Sequence, residues 1–380
     1  MKKKFIVLSS IIIISMLISA GSYLVANKNT SESPPAEVLE ECKTIRNNGP
    51  GIDILFFSDE KTAEEYTDYF LQLAPFKDHK EKFNFFYIDE EIYKAPCELY
   101  KGIALYCYSK DLIKKAGSCH HDYIAVLEKQ PRSVRSSAFK GVMSINKNHP
   151  LPVFAHEFAH VFSNLAEEYL AENTKIPIGS ENCQSKCEGF DKFQGQFGCY
   201  QGCTKSSFFR AFEEGIMRTL SATSYGPYDE LLLEEAALEQ YDKKNQNLIT
   251  GSAISNPVDC SQKEYFLIEG TYQENQIEIL SKEHLPGCTS KGKVFGTLKY
   301  NVINKNSQVL ESSEFLPELI FITDLTESGM PTEPPAENDQ HFIITIPSTE
   351  QTKTLQILDK EDNVLEEIKL NDLGGRPCKA

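Results

Sequence analysis

The stretch from Val153 to Leu165 constrains the fold more than any other, because the sequence predicts a helix here with apolar residues on every side. The helix begins after Pro152 and is predicted to run to about Tyr169. A helix that is hydrophobic all round is normally buried in the core of a protein. The chain therefore has to fold around this segment, and any ionisable side chain within it needs a partner.

The ionisable side chains of this helix are His156, Glu157 and His160. The two histidines are four residues apart, so both imidazoles leave the same face of the helix and can bind one zinc ion. Glu157 is displaced by about 100° from that face, which suits a general base that takes a proton from a zinc-activated water. The sequence therefore predicts a zinc site with Glu157 as the catalytic base.

A catalytic zinc site of this kind needs a third protein ligand, and Glu167 is the main candidate. Seven residues after His160, it lies on nearly the same helix face but about 10.5 Å further along the axis. It can reach the metal only if the chain turns back, and Ser163-Asn164 is the predicted break because asparagine tolerates a left-handed conformation. The alternatives are Glu168 and, further along the chain, Glu213 and Glu214.

The segments around this helix predict an α/β (α+β) domain with a mixed sheet. Apolar runs that read as strands cover 52–57, 84–88, 122–127 and 141–145, and a second strong helix covers 228–241. After about residue 245 the pattern changes to short apolar runs separated by Gly, Pro, Asn and Asp. These runs are 264–268, 276–280, 293–303, 318–323, 341–346, 353–358 and 364–370. Their spacing predicts a C-terminal all-β sandwich domain.

The predicted organisation has four parts. Residues 1–26, three lysines followed by an apolar stretch, are an export signal peptide or an N-terminal membrane anchor, and the length of the stretch favours the anchor. Residues 27–45 are polar and Pro-containing and are predicted to be a linker. The α/β domain then covers 46–245 and the accessory sandwich covers 246–380. In either case the part after the apolar segment is exported.

Charge and cysteine content support an exported protein that does not bind nucleic acid. The formal net charge is −16, and an acidic surface repels a phosphate backbone. Eleven cysteines in an exported chain indicate disulfides. Four of them are clustered (Cys183, Cys187, Cys199 and Cys203), and disulfides are favoured over a structural zinc site for this cluster.

The stretch His156–Tyr169 (HEFAHVFSNLAEEY) resembles the active-site segment of the M64 family, the IgA-peptidase-like zinc metallopeptidases. The segments 198–204 (GCYQGCT), 214–218 (EGIMR) and 224–227 (SYGP) are similar to the Cys-rich segment and Met-turn of that family. The resemblance covers about residues 50–240. It implies a zincin-like fold, metzincin-like in its active site, with Met217 beneath the zinc. Three residues depart from the family pattern: Ser163, where metzincins commonly have a turn-forming glycine, Glu167, where this family tends to have aspartate, and Phe209, where a tyrosine is frequent.

The sequence thus predicts an exported zinc metalloendopeptidase, with Zn2+ bound by His156, His160 and Glu167 and a protein or peptide as substrate. Nucleic acid is excluded as a partner, and the membrane is a partner only if the N-terminal anchor is uncleaved. Two alternatives stay open. One is a surface adhesion protein built on an inactive zincin scaffold, and the other is a zinc amidase that acts on cell wall.

Overall fold

The computed structural model describes residues 39–249, 259–290, 292–315, 322–323 and 340–370. Within these residues the fold is mixed α/β with several sheets and few helices, as predicted at that level. The helices are α1 (Glu60–Phe70), α2 (Lys110–Ala116), α3 (Pro152–Ser163) and α4 (Pro227–Ile249). The strands are β1 (Lys43–Arg46), β2 (Ile52–Phe57), β3 (Phe83–Ile88), β4 (Glu98–Tyr100), β5 (Ala104–Tyr106), β6 (Tyr123–Glu128), β7 (Ser137–Phe139), β8 (Val142–Asn146), β9 (Tyr200–Cys203), β10 (Lys205–Arg210), β11 (Glu264–Gln273), β12 (Gln276–Pro286), β13 (Leu298–Ile303), β14 (Val309–Phe315), β15 (Ile322–Thr323), β16 (His341–Pro347), β17 (Thr354–Leu358) and β18 (Val364–Lys369).

The largest sheet in the described part of the chain has the strand order β1-β3-β2-β6-β8-β7-β15. Its four central strands, β3, β2, β6 and β8, are parallel, and β1 and β7 pair with them in the antiparallel direction. The parallel strands are the four apolar runs predicted from the sequence, with bounds that differ by at most one residue. They are apolar throughout because both faces of a parallel sheet are covered.

Side chains that alternate along β2 enter two different cores. Ile54 and Phe56 point into the core that α1, α3 and α4 cover, whereas Leu55 and Phe57 point into the core that α2 closes. The predicted apolar helix is α3, and Phe158 at its centre is fully buried in the first core. The sheet and the helices α1 and α4 thus enclose α3.

Two further sheets lie in the C-terminal part, with the strand orders β12-β11-β16 and β14-β13-β17-β18. Their facing sides bury one apolar cluster, in which the rings of Phe315 and Phe342 are 5.1 Å apart. Two sheets that bury a core between them form a sandwich. The same part of the chain also packs on α2, where the Lys110 ammonium lies 2.7 Å from a Glu269 carboxylate oxygen.

The strands of this C-terminal part differ from the predicted runs in two places. β14 is a strand that the sequence pattern did not indicate, because its exposed face leaves only a weak apolar pattern. The run 318–323 was predicted to be a strand of the sandwich. Its described residues instead form β15, which pairs antiparallel with β7 of the large sheet, with Ile322 opposite Ala138. That part of the prediction is wrong, since a pairing partner is a long-range property that the run itself does not carry.

The described part of the predicted linker 27–45 is held in the fold. Cys42 forms a disulfide with Cys119, and β1 pairs with β3 at the edge of the large sheet. α4 continues to Ile249, past the predicted domain boundary at 245, and the boundary itself stays a prediction. Residues 1–38, with the predicted signal or anchor at 1–26, lie outside the described residues. No helix among the described residues is long and apolar enough to cross a membrane.

Five disulfides occur among the described residues: Cys42–Cys119, Cys97–Cys107, Cys183–Cys203, Cys187–Cys199 and Cys260–Cys288. The four clustered cysteines are therefore oxidised, as predicted. The Cys187–Cys199 bond is nested in the chain inside the Cys183–Cys203 bond. Several disulfides in one chain are typical of proteins outside the cytoplasm. The extracytoplasmic location predicted from the sequence agrees with this finding.

Candidate metal centre

Helix α3 carries His156 and His160 on one face. Pro152 occupies the first turn, where a missing backbone N–H costs nothing. The residues from Val153 to His160 are all buried, which agrees with the burial predicted from its apolar sequence. The two imidazoles therefore lie in an interior from which water is largely excluded.

Three donor atoms converge at this place. His156 Nε2 lies 3.1 Å from His160 Nε2 and 3.1 Å from Glu167 Oε2, and His160 Nε2 lies 3.4 Å from Glu167 Oε1. All three side chains are at most 4% exposed. The structure thus brings together the three residues predicted as metal ligands, and these residues could hold a metal ion.

The outer nitrogen of each imidazole fixes its tautomer. His156 Nδ1 lies 3.0 Å from the Ile216 carbonyl oxygen, and His160 Nδ1 lies 2.6 Å from the Leu165 carbonyl oxygen. A carbonyl oxygen only accepts, so each Nδ1 carries the hydrogen, and a neutral imidazole then presents a lone pair at Nε2. Two lone pairs and a carboxylate that face one another could hold a cation between them. This arrangement is typical of metal-ligating histidines, whose second nitrogen is oriented by a carbonyl or carboxylate.

The electrostatics of the metal-free centre agree with a cation site. Burial alone would lower the pKa of His156, but the Glu167 carboxylate outweighs it and raises that pKa to about 9. Burial alone would raise the pKa of Glu167, but His156 and His160 lower it to about 2. Without a metal, a proton on the imidazole provides the positive charge that the carboxylate requires.

The turn after α3 brings Glu167 back to the histidines. The helix ends at Ser163, and Asn164 takes a left-handed conformation with φ 56° and ψ 31°. The predicted break is confirmed, and the predicted continuation of the helix to about Tyr169 is wrong. Because the left-handed residue is Asn164, a glycine is not needed at Ser163.

Two buried side chains hold the returning segment. Asn182 accepts a hydrogen bond from the Ala166 N–H (2.8 Å) and donates one to the Ala166 carbonyl (2.9 Å). Thr204 donates its hydroxyl to the Glu167 carbonyl at 2.8 Å. Sequence reasoning missed both residues. The signal that could have found them is their position, since each is next to a cysteine of the clustered four.

The Cys183–Cys203 disulfide joins the two chain segments that carry these side chains. Cys183 follows Asn182 and Cys203 precedes Thr204, so the covalent bond fixes the spacing between both hydrogen-bonding groups. The backbone on either side of the Glu167 side chain is therefore anchored to a cross-linked frame. Such outer contacts orient a ligand and set its affinity for metal.

The other candidate ligands are placed elsewhere. Glu168 is buried, but its N–H donates to the Met217 carbonyl at 3.0 Å, and its carboxyl hydrogen-bonds Asn182. Burial, opposed by the nearby Arg210, raises the pKa of Glu168 to about 8. Glu213 and Glu214 are exposed. The histidine Nε2 atoms therefore meet Glu167 and none of these alternatives.

The segment around Met217 supports the centre through its backbone. The Ile216 carbonyl holds the His156 Nδ1 hydrogen, and the Met217 carbonyl accepts the Glu168 N–H. The Met217 side chain is fully buried in the core that contains α3. That its thioether lies beneath a metal stays a prediction, whereas the role of the adjacent carbonyls was not visible in the sequence.

A cleft opens along α3, on the face of the helix that carries Glu157 by the helical repeat. His160, Val161 and Asn164 form part of its wall. Glu157 precedes Val161 by four residues and Asn164 by seven, so it belongs to the helix face that is turned to the cleft. Its side chain is fully buried, and along the chain it follows His156 directly and precedes His160 by three residues. A buried carboxylate at this position can move a proton between a metal-activated water and a bound molecule.

A second cluster, His120 with Cys260 and Cys288, also has donor atoms near one another. Its two cysteines form a disulfide, so their sulfurs carry no thiolate charge for a metal. The histidine–glutamate cluster is therefore the metal centre to consider. No protein-family model matches the chain, and no curated protein matches it.

Proposed function

We propose that the chain is a zinc-dependent endopeptidase that works outside the cytoplasm, with a zincin-like fold in its α/β part and a β-sandwich accessory part. His156, His160 and Glu167 are the zinc ligands, and Glu157 is the general base. The observation that carries the proposal is the convergence of three buried donor atoms within 3.1–3.4 Å, with both imidazole tautomers set by carbonyls. Two histidines and a glutamate are a donor set that catalytic zinc uses in peptidases.

A bound zinc would supply Lewis acidity that lowers the pKa of a water to about 7 and polarises a peptide carbonyl. Glu157 removes a proton from this water as the water oxygen bonds to the carbonyl carbon. The same carboxyl then delivers the proton to the amide nitrogen as the C–N bond breaks, so that an acid and an amine leave. Exclusion of water around the buried Glu157 strengthens its interaction with the reacting groups.

The cleft beside Glu157 supports a peptide as the substrate. One of its walls is α3, and another includes Ala138 and Phe139 of β7, an antiparallel strand of the large sheet. Its apolar lining residues, such as Val161 and Phe295, can pack against the side chains of a bound peptide. The resemblance of segments 156–169 and 214–218 to the M64 family supports the same activity.

The test is Glu157→Gln in the full-length chain, exported to an oxidising compartment and purified without chelators. The variant keeps the size of the side chain and removes the base. We expect about one zinc per chain in both proteins, and at least ~10²-fold slower casein hydrolysis by the variant. Glu64→Gln, an exposed carboxylate on α1, is the control and should hydrolyse casein as the wild type does.

The outcomes separate the alternatives. Zinc binding by a wild-type protein that cleaves no peptide would favour an adhesion protein on an inactive scaffold. Cleavage of cell-wall fragments but not of casein would favour an amidase. A well-folded wild-type protein that takes up no zinc would refute the proposal.

A further inference from the structure

A lysine and two aspartates form a buried cluster where strands β2 and β6 begin. Asp53 is the second residue of β2, Asp122 directly precedes β6, and Lys244 belongs to α4. Lys244 Nζ lies 2.9 Å from Asp53 Oδ2 and donates a hydrogen bond to Asp122 Oδ2. The Asp122 side chain is 2% exposed, and those of Asp53 and Lys244 are 15% and 18% exposed. The proposed zinc chemistry uses none of these three groups.

Backbone hydrogen bonds fix the Asp122 carboxyl beside the amine. Its Oδ2 accepts the Asp53 N–H at 2.7 Å, and the Asp122 N–H donates to the Asp53 carbonyl at 2.7 Å. An N–H that donates to a carboxyl oxygen stabilises negative charge on that oxygen, as the donors of an oxyanion hole do. The amine nitrogen and the carboxyl carbon beside it are thus held in one arrangement, which favours a reaction between them.

The Asp53 carboxyl is placed to transfer protons. Its Oδ1 accepts a hydrogen bond from the Asn84 side-chain amide at 2.8 Å, while its Oδ2 meets Lys244. Burial and the charge of Asp122 raise the pKa of Asp53, although Lys244 opposes this. Burial alone would lower the pKa of Lys244, but Asp122 and Asp53 raise it. The three groups therefore share their protons in a space where isolated charge is costly.

We propose that Lys244 and Asp122 form an intramolecular isopeptide bond, with Asp53 as the group that transfers protons. The Lys244 ammonium gives a proton to Asp53, and the neutral amine attacks the Asp122 carboxyl carbon. A C–N bond forms and a C–O bond breaks, and the oxygen leaves as water with two protons that come from the ammonium. An ammonium and a carboxylate thus become one amide and one water, and Asp53 returns to its original protonation state. The step needs no co-reactant.

A second lysine with two carboxylates provides a control within the same chain. Lys192 Nζ lies 2.5 Å from Glu181 Oε2 and 3.0 Å from Glu235 Oε2. These three side chains are 33%, 55% and 53% exposed. Water stabilises their charged forms, so the amine stays protonated and cannot attack. We therefore expect no bond at Lys192.

The experiment is peptide mapping of the full-length chain, exported to an oxidising compartment, incubated at neutral pH, then reduced, alkylated and digested with trypsin. The peptides that carry Asp122 and Lys244 should appear as one linked species, lighter than their sum by the mass of one water. Cleavage after Lys244 should be lost, because its side chain no longer carries a charge. The peptides that carry Lys192 should be unlinked. These masses decide whether the bond exists without any substitution in the chain.

Three variants test the roles of the residues. Asp122→Asn should give the same linked species, with ammonia in place of water as the molecule that leaves. Asp53→Asn should leave the two peptides unlinked, because loss of the proton acceptor slows such a step by ~10²-fold or more. Lys244→Arg keeps a positive charge in the cluster and should also give unlinked peptides.

The contrary outcomes are equally direct. Unlinked Asp122 and Lys244 peptides from folded wild-type protein would overturn the inference and leave the cluster as a buried ion pair network. Linkage of Lys192 as well would overturn the argument from burial. Full linkage in Asp53→Asn would refute the proton-transfer role. All these readouts are masses, so they are independent of zinc binding and of the proposed peptidase activity.

Discussion

Asn182 offers the sharpest test of how Glu167 is held at the metal centre. Its side chain makes two hydrogen bonds to the backbone of Ala166, directly before Glu167, and it is fully buried. Asn182→Ala leaves a buried N–H and a buried carbonyl without these partners, at about 1–3 kcal/mol for each group. The total is about 2–6 kcal/mol. The segment can relieve part of this by moving away, and Glu167 then moves with it.

A displacement of Glu167 that costs about 1.4–2.8 kcal/mol of zinc-binding free energy lowers the zinc affinity about 10–100-fold. The same range is typical when an outer contact of a metal ligand is lost. Zinc affinity is measured by competition with a chromogenic chelator, and the melting temperature is recorded for each metal-free protein. We expect Asn182→Ala to lose both stability and zinc affinity.

Asn84→Ala is the matched control. Asn84 is also buried, its side-chain oxygen accepts the Asn48 N–H at 2.7 Å, and its amide donates to the Gly49 carbonyl at 2.7 Å. It lies on β3, and these partners belong to the segment before β2. We expect a similar loss of stability with unchanged zinc affinity. If Asn182→Ala bound zinc as tightly as Asn84→Ala, the reasoning about the cross-linked frame would be refuted.

Two further predictions concern the ligands themselves. Glu167→Ala should lower the zinc affinity by about 100-fold or more, whereas Glu168→Ala should retain a site for zinc. If Glu168 were the ligand, chelator competition would instead show the larger loss of zinc affinity in Glu168→Ala. The metal-free protein should lose stability as the pH rises from about 6.5 to 9. The pKa of His156 is raised and the pKa of Glu167 is lowered, so their ion pair contributes its full stability only between about pH 4.5 and 6.5. Melting curves against pH, with and without zinc, test this, since the zinc-loaded protein should lack the decline.

The local features of this fold could be predicted from the sequence. Strands such as β2 and helix α3 are buried over most of their length, and their continuous apolar sequences carry that information in a few residues. The break at Asn164 was also predictable, because it depends on the conformational tolerance of one side chain. These predictions rely on interactions within about one turn of the chain.

The remaining features depend on contacts between distant residues. The choice of Glu167 over Glu168 depends on Asn182, Thr204 and the Met217 carbonyl, which are 15 to 50 positions after Glu167 along the chain. The pairing of the clustered cysteines depends on the path of an irregular segment between them. Spacing alone predicts that such residues are ordered, and it does not predict their partners.

The pairing of β15 with β7 makes a short strand of the C-terminal part the last strand of the large sheet. An antiparallel strand at the border of a sheet has unpaired N–H and carbonyl groups, and a second molecule can join it there. β15 occupies Ser137 and Ala138 of that border from within the same chain. The C-terminal part is therefore more than a spacer: it contributes the two-residue strand that forms this border of the large sheet.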